Sequence, residues 1–162
     1  MPKFALFITT KALHSFNLYK SDKRRLKKYP NLKYQSGFLL SRSLKWQFKL
    51  KDKICISHKK DICVIARSKR KIGIDIEELK ERNFGAIMDF CFSDDEKNLV
   101  KNADDKLLAF YQIYTTKEAF IKLQNLGFSH LQSVNFNAIL NRMKTKHITY
   151  KNFLITIVYK GK

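Results

Sequence analysis

Three carboxylates and a lysine stand at spacings that could gather round one charged reaction centre. Asp75 and Glu77 lie in "KIGIDIEELKER", residues 71–82. Side chains i and i+2 of a strand share a face. Gly73, Asp75 and Glu77 therefore point one way, and Ile72, Ile74 and Ile76 point into a core. Two carboxylates so placed repel unless a cation sits between them, and oxygen ligands of this kind suit a hard divalent metal such as magnesium. The plain alternative is a solvated strand end, since alternating Ile and acid also describes a sheet with one wet face. Further on, Leu107, Tyr111, Tyr114 and Glu118 fall on one face of a helix. A carboxylate continuing a face of Leu and Tyr needs a partner. Lys122, one turn later, could supply it as an ordinary helix ion pair, and a metal shared with Asp75 and Glu77 is the other candidate. Ser57 and His58, in "ISHKKD", are ready donors to a phosphate. No "GxSxG" occurs, so they are not a hydrolase signature.

Charge divides the chain at this same stretch. The 162 residues carry a net charge of +19. Residues 1–71 hold 20 Lys and Arg against 3 Asp and Glu, whereas residues 72–162 hold 13 against 11. Such an excess implies a polyanionic partner: nucleic acid, anionic membrane, phosphorylated ligand or acidic protein. A hydrophobic fraction of 44% with 13 Phe and 7 Tyr supports a folded core rather than disorder. "FALFI" near the N-terminus is too short for a signal-peptide core or a membrane span. The three cysteines, Cys55, Cys63 and Cys91, form no even framework and fit reduced thiols, hence a cytoplasmic expectation. Cys55, His58 and Cys63 lack a fourth ligand and argue poorly for zinc.

The elements that must position these residues read as follows. A strand is expected over 2–9. A basic helix follows over 21–29 with Ser21 as N-cap, stopped by Pro30, and a second helix runs from Tyr34 to about Trp46. Residues 53–77 read as a strand meander. "FGAIMDFCF" is a short helix, and "SDDEKNLVK" opens with a capping box of Ser93 and Glu96. Residues 104–123 are the strongest helix, opened by Asp104 or Asp105. "SVNFNAIL" and "HITYKNFLITIVYK" alternate and read as two or three strands. The fold class is α+β, mostly antiparallel, with two subdomains, 1–71 and 72–162.

"ISHKKDICVIARSKRKIGIDIE", then "FSDDEKNLV", then "YTTKEAFIKL", in this order and spacing, resemble the Sfp-like class of 4′-phosphopantetheinyl transferases over residues 53 to about 136. The resemblance implies two similar, pseudo-twofold α+β subdomains with antiparallel sheets packed on helices and the active site in the cleft between them. It implies that Asp75, Glu77 and Glu118 hold magnesium with the pyrophosphate of coenzyme A, that Lys122 contacts that pyrophosphate, and that Ser57 and His58 hold the 3′-phosphate. Lys23 sits in a helix similar to the family's phosphate-binding helix, with Lys33 and Arg42 in neighbouring positions. Tyr114 replaces the family's usual Trp, and "KLKDK" (49–53) stands where a "GKP" loop is usual.

The implied reaction is attack by a serine hydroxyl of an apo acyl carrier protein, or of a carrier domain, on the β-phosphate of coenzyme A, releasing 3′,5′-ADP. Glu118 accepts the proton, Lys122 steadies the leaving charge, and Asp75 serves the metal. The charge boundary would then be the seam between a phosphate-binding wall and a metal-binding wall. The expected protein is a monomer that engages no membrane and no specific nucleic acid. The rival reading is a basic nucleic-acid-binding module, which "KRRLKK" and the aromatic content would serve. It leaves Asp75, Glu77 and Glu118 without a purpose, and no helix-turn-helix, RRM or zinc pattern accompanies it.

Overall fold

In the computed structural model, which describes residues 4–161, two three-stranded antiparallel sheets stack against each other. The first half runs β1 (Phe4–Thr9), α1 (Lys20–Lys28), α2 (Ser36–Gln47), β2 (Ile54–Lys59) and β3 (Ile62–Ser68). The second runs β4 (Ile72–Glu78), α3 (Phe84–Cys91), α4 (Asp94–Lys101), α5 (Lys106–Gln124), α6 (Phe136–Arg142), β5 (Lys144–Tyr150) and β6 (Phe153–Tyr159). The sheet orders are β1-β3-β2 and β4-β6-β5. Each half is thus wired alike: a strand, helices, then a hairpin whose second strand fills the middle. The fold is α+β, as the sequence pattern leads one to expect. None of the described helices is long and apolar enough to cross a membrane.

Strand pleating builds the layers. Ile62, Val64 and Ala66 of β3 face Ile72, Ile74 and Ile76 of β4 and Ile155 and Ile157 of β6, forming a dry layer between the sheets. The opposite face of the first sheet, through Cys63 and Ile65, packs on Leu40 and Leu44 of α2. The opposite face of the second sheet packs on α5: Leu154 joins Phe110, Tyr111 and Ile113, and Val158 joins Ala119 and Leu123. Gly73 lets this helix come close. A Cβ there would stand 1.8 Å from the Ala119 carbonyl oxygen, so the close approach that a bare strand position allows is made by the backbone of α5.

Several expectations need correction. The continuous meander over 53–77 breaks in two, because β4 leaves its neighbours and pairs with β6. The basic helix begins at Lys20 with Tyr19 at its N-cap and no side-chain cap, so Ser21 lies inside it. The second helix starts at Ser36, behind a 3₁₀ turn over Pro30–Tyr34. Most of "SVNFNAIL" is the helix α6 rather than a strand. Asn135 caps it by accepting from the Ala138 amide, and the Glu96 carboxylate, distant in sequence, takes the Phe136 amide at 2.6 Å. That anchor lies outside any local window.

Glu96 also fulfils the capping box with Ser93, and its Oε2 accepts from Lys117 Nζ at 2.7 Å with both side chains almost wholly buried. The Lys117 ammonium further donates to the Cys91 carbonyl. One buried ion pair thereby locks α4, α5 and the start of α6 together. Removing one partner strands a buried charge, which costs about 3–5 kcal/mol. Lys117→Met should lower unfolding free energy in urea by about that amount. A loss under about 1 kcal/mol would show that the pair is not what holds these helices.

Candidate active site at the seam of the two sheets

The site forms where the edge strands β2 and β4 lie side by side. Ser57 bonds Asp75, Lys59 bonds Glu77, and Lys60 bonds Glu78, all at one separation of 18 residues. A constant offset means that the strands run parallel and in register. They share no backbone ladder, so side chains bridge the gap.

Asp75 is the hub. Its Oδ1 accepts from Ser57 Oγ at 2.9 Å and from Lys122 Nζ at 2.6 Å, and Lys122 also reaches Ser57 Oγ at 3.0 Å. Lys122 therefore pairs with Asp75 of β4, on which its helix packs, and not with Glu118 along its own helix, which corrects the i,i+4 expectation. The Asp75 charge offsets the cost of burying the ammonium, whose pKa is raised on balance: burial, the largest influence, lowers it, and Asp75 raises it. Asp75 Oδ2 is buried and has no hydrogen-bond partner among the described residues.

Glu118 and Glu77 flank the hub. Glu118 is buried, and burial first, then the nearby Asp75 charge, pushes its carboxyl up to about 7. Glu77 is held by Lys59 at 2.7 Å and Arg82 at 3.5 Å. Burial still raises its pKa, and Asp75 adds to the rise. The half-buried phenol of Tyr114 sits beside these acids, its ionisation driven up by burial and by Glu118. The three acids named by the sequence thus feel one another's charge.

They suit a cation in chemistry: a buried oxygen on Asp75 without a hydrogen-bond partner among the described residues, and neighbouring carboxyls whose pKa is raised by burial first and by mutual repulsion second. Among the described residues, however, no group of three or more His, Cys, Asp or Glu side chains is already disposed to hold a metal. Lys122 occupies one oxygen of Asp75, and Lys59 and Arg82 occupy Glu77.

The phosphate candidates separate into two groups. Ser57 is buried in the hub, and the exposed His58 packs its ring on the first turn of α2, where Gly37 leaves room; a Cβ there would fall 2.4 Å from the ring. Burial, then Lys122 and Arg42, hold the His58 pKa down. Arg42 is buried, with Nε on Asp22 at 2.9 Å, and Lys45 takes the other oxygen of Asp22 at 2.6 Å. Lys23 is exposed on α1, and Lys33 is exposed with its ammonium over the Tyr34 ring. No hydrogen bond or ion pair among the described residues joins Lys23, Lys33 or Arg42 to the Asp75 hub. The sequence reading missed Lys59, Lys60 and Arg82 as partners of the acids. Only the offset of 18 between two parallel strands could have found the lysines, and it appears once the strands are placed.

The family model for the 4′-phosphopantetheinyl transferase superfamily matches residues 71–157, more than half of the chain. The chain belongs to that superfamily. It is 37% identical over 84 residues to a putative 4′-phosphopantetheinyl transferase of Haemophilus influenzae, covering 49% of this chain and 36% of that protein. It is 34% identical over 76 residues to a 4′-phosphopantetheinyl transferase of Bacillus pumilus, covering 46% and 33%. The aligned stretch thus spans about a third of each relative's length.

Glu118 supplies a pH signature for the metal-free protein. Its folded-state pKa lies above the ordinary carboxylate value, so between the two the folded chain binds more protons than the unfolded one. Stability then falls as pH rises from the ordinary carboxylate range to about 7. Glu118→Gln should flatten this part of the stability–pH curve without flattening it fully, because Glu77 shifts the same way. Chemical unfolding at a series of pH values checks it, and an unchanged slope in the variant would contradict it.

Proposed function

We propose that the chain transfers the 4′-phosphopantetheine group from coenzyme A to a serine of an apo acyl carrier protein or carrier domain. The observation that carries the reading is the Asp75 hub. The family match covers residues 71–157, yet Lys122 and Asp75 within it are bonded to Ser57, which lies outside it. The basic first half is thereby joined at atomic contact to the half that carries the family pattern. We assign residues 1–71 to the coenzyme phosphates and residues 72–162 to the metal and the reacting hydroxyl.

Asp75, Glu77 and Glu118 would hold the magnesium ion, which when bound supplies neutralising charge to the diphosphate. The chain's own residues do the rest. The Lys122 ammonium, partly exposed on the seam, bears on the diphosphate and stabilises the negative charge that grows on the leaving 3′,5′-ADP. Glu118 takes the serine proton as the serine oxygen bonds to the β-phosphorus and the bond from that phosphorus to the bridging oxygen breaks. In the metal-free protein this carboxyl is raised to about 7, and a cation held beside it would draw it down and keep it ionised, ready to accept a proton at neutral pH. Ser57 and His58 are assigned to the 3′-phosphate, and Lys23, Lys33 and Arg42 are assigned to the coenzyme phosphates as further basic residues of the first half. Loss of the 3′-phosphate contact should weaken binding rather than turnover. The nucleic-acid reading gains nothing from the seam, whose acids would repel a polyanion.

The test is incubation with coenzyme A, magnesium and an apo acyl carrier protein, followed by intact mass. The parent chain should convert the carrier. Asp75→Ala and Glu118→Gln should each lower kcat/KM by about a hundredfold or more, the range for loss of a positioned acid–base or charge-stabilising group. No conversion by the parent chain under magnesium saturation would overturn the proposal.

A further inference from the structure

Beyond Lys122 the seam continues toward the N-terminal ends of β2 and β4, where a cavity of about 460 Å³ opens. Three pieces of chain wall it: the start of β2, the turn between β3 and β4, and the last turn of α5. Lys53, Lys69, Arg70, Lys71 and Lys122 line it, and among the described residues no carboxylate does. Between these cations the surface is apolar, from Ile54, Ile56, Ile72 and Leu123. A neighbouring cavity, by contrast, has Asp52 in its wall beside Arg67 and Lys69.

Five cations around one cavity repel one another, and apolar walls focus their field. An anion entering there relieves that repulsion. The mixture of charge and apolar surface suits a phosphate carried on a larger organic body. Lys122 belongs both to this wall and to the Asp75 hub, so a ligand with more than one phosphate could span the cavity and the hub. No individual role has been assigned above to the turn residues Lys69, Arg70 and Lys71. They are exposed; among the described residues the turn is tied outside itself by the Arg70 amide, which donates to Ser68 Oγ at 3.2 Å, and by the Arg70 guanidinium, which donates to the Gly161 carbonyl at 3.4 Å.

We propose that this cavity holds a phosphate of the coenzyme, with the β3–β4 turn as its cationic wall. The proposal rests on the transferase reading, and it places a phosphate contact where the "KLKDK" segment and the turn meet. Lys122, assigned to the diphosphate, lines the cavity, whereas Ser57 and His58, assigned to the 3′-phosphate, do not, so the phosphate held here is one of the diphosphate pair.

Calorimetric binding of coenzyme A and of dephospho-coenzyme A is measured for the full chain, for the double variant Lys69→Ala/Lys71→Ala, and for the control Lys101→Ala/Lys106→Ala. The control removes the same charge from exposed positions on α4 and α5. Removing two charge-assisted contacts should weaken binding by about tenfold or more, while the control should change it by less than about twofold. A similar loss for both ligands is expected of a diphosphate contact, and a loss for coenzyme A alone overturns the proposal, since the contact would then be to the 3′-phosphate. Unchanged binding by the turn variant overturns the proposal, as does an equal loss in the control, which would reduce the effect to net charge. Failure of the parent chain to bind coenzyme A overturns this proposal and the transferase reading together. Binding by the parent without transfer to the carrier would remove the transferase reading alone.

Discussion

One carboxylate oxygen fixes the site. Asp75 Oδ1 takes a hydroxyl from β2 and an ammonium from α5 while standing on β4. Three elements from two sheets therefore meet at a single buried acceptor. The edge strands here have no shared backbone ladder, so this contact and the two lysine–glutamate pairs beside it take the place of one. Burying the Asp75 charge is costly unless it is paired, and the pairing takes up Ser57 and Lys122, the two groups proposed above to meet the coenzyme phosphates. Structure and chemistry thus draw on the same atoms. A diphosphate would have to compete for Lys122, and a cation would have to compete with Lys122 for the Asp75 oxygens.

The second constraint lies one residue away from Glu118. Successive helix positions differ by about 100° in direction, so Lys117 and Glu118 point to different sides of α5. Lys117 faces inward to Glu96, fully buried, and so fixes the rotation of the helix about its axis. With that rotation set, Glu118 and Lys122 must face the seam. The adjacent pair "KE" divides its labour between holding the helix and serving the site, and Gly73 allows the helix to lie close enough for Lys122 to reach Asp75.

Much of this was legible in the sequence, for local reasons. The Ser93–Glu96 capping box, the Asp105 start of α5 and the alternation of β4 each lie within a few residues, and the three carboxylates of the site follow from strand and helix period. What was not legible depended on distant partners. The helix at Phe136 is set by Glu96, 40 residues earlier, which overrides a local period of two. The hairpin turns carry Lys60 and Lys151 at positive φ, 49° and 53°, where an Asn or Gly would have announced them. Arg42, an apparent phosphate ligand, is occupied by Asp22, and neither residue's local pattern hints at the other.

The uniform offset of 18 between β2 and β4 has a consequence for how this gene segment can change. The two strands are parallel, yet they are joined through β3 by a turn at 60–61 and another at 69–71. The chain between Ser57 and Asp75 therefore works as a gauge block: its length determines which side chains meet across the seam. One inserted or deleted residue would slide one strand against the other by about 3.3 Å and bring the wrong pleat to face Asp75. Related sequences should thus hardly vary in length between Ser57 and Asp75, and should vary in letters there only at the exposed turns, since the β3 and β4 core positions and Gly73 are held by packing; the loops at 79–83 and 125–135, which set no register between strands, can grow or shrink.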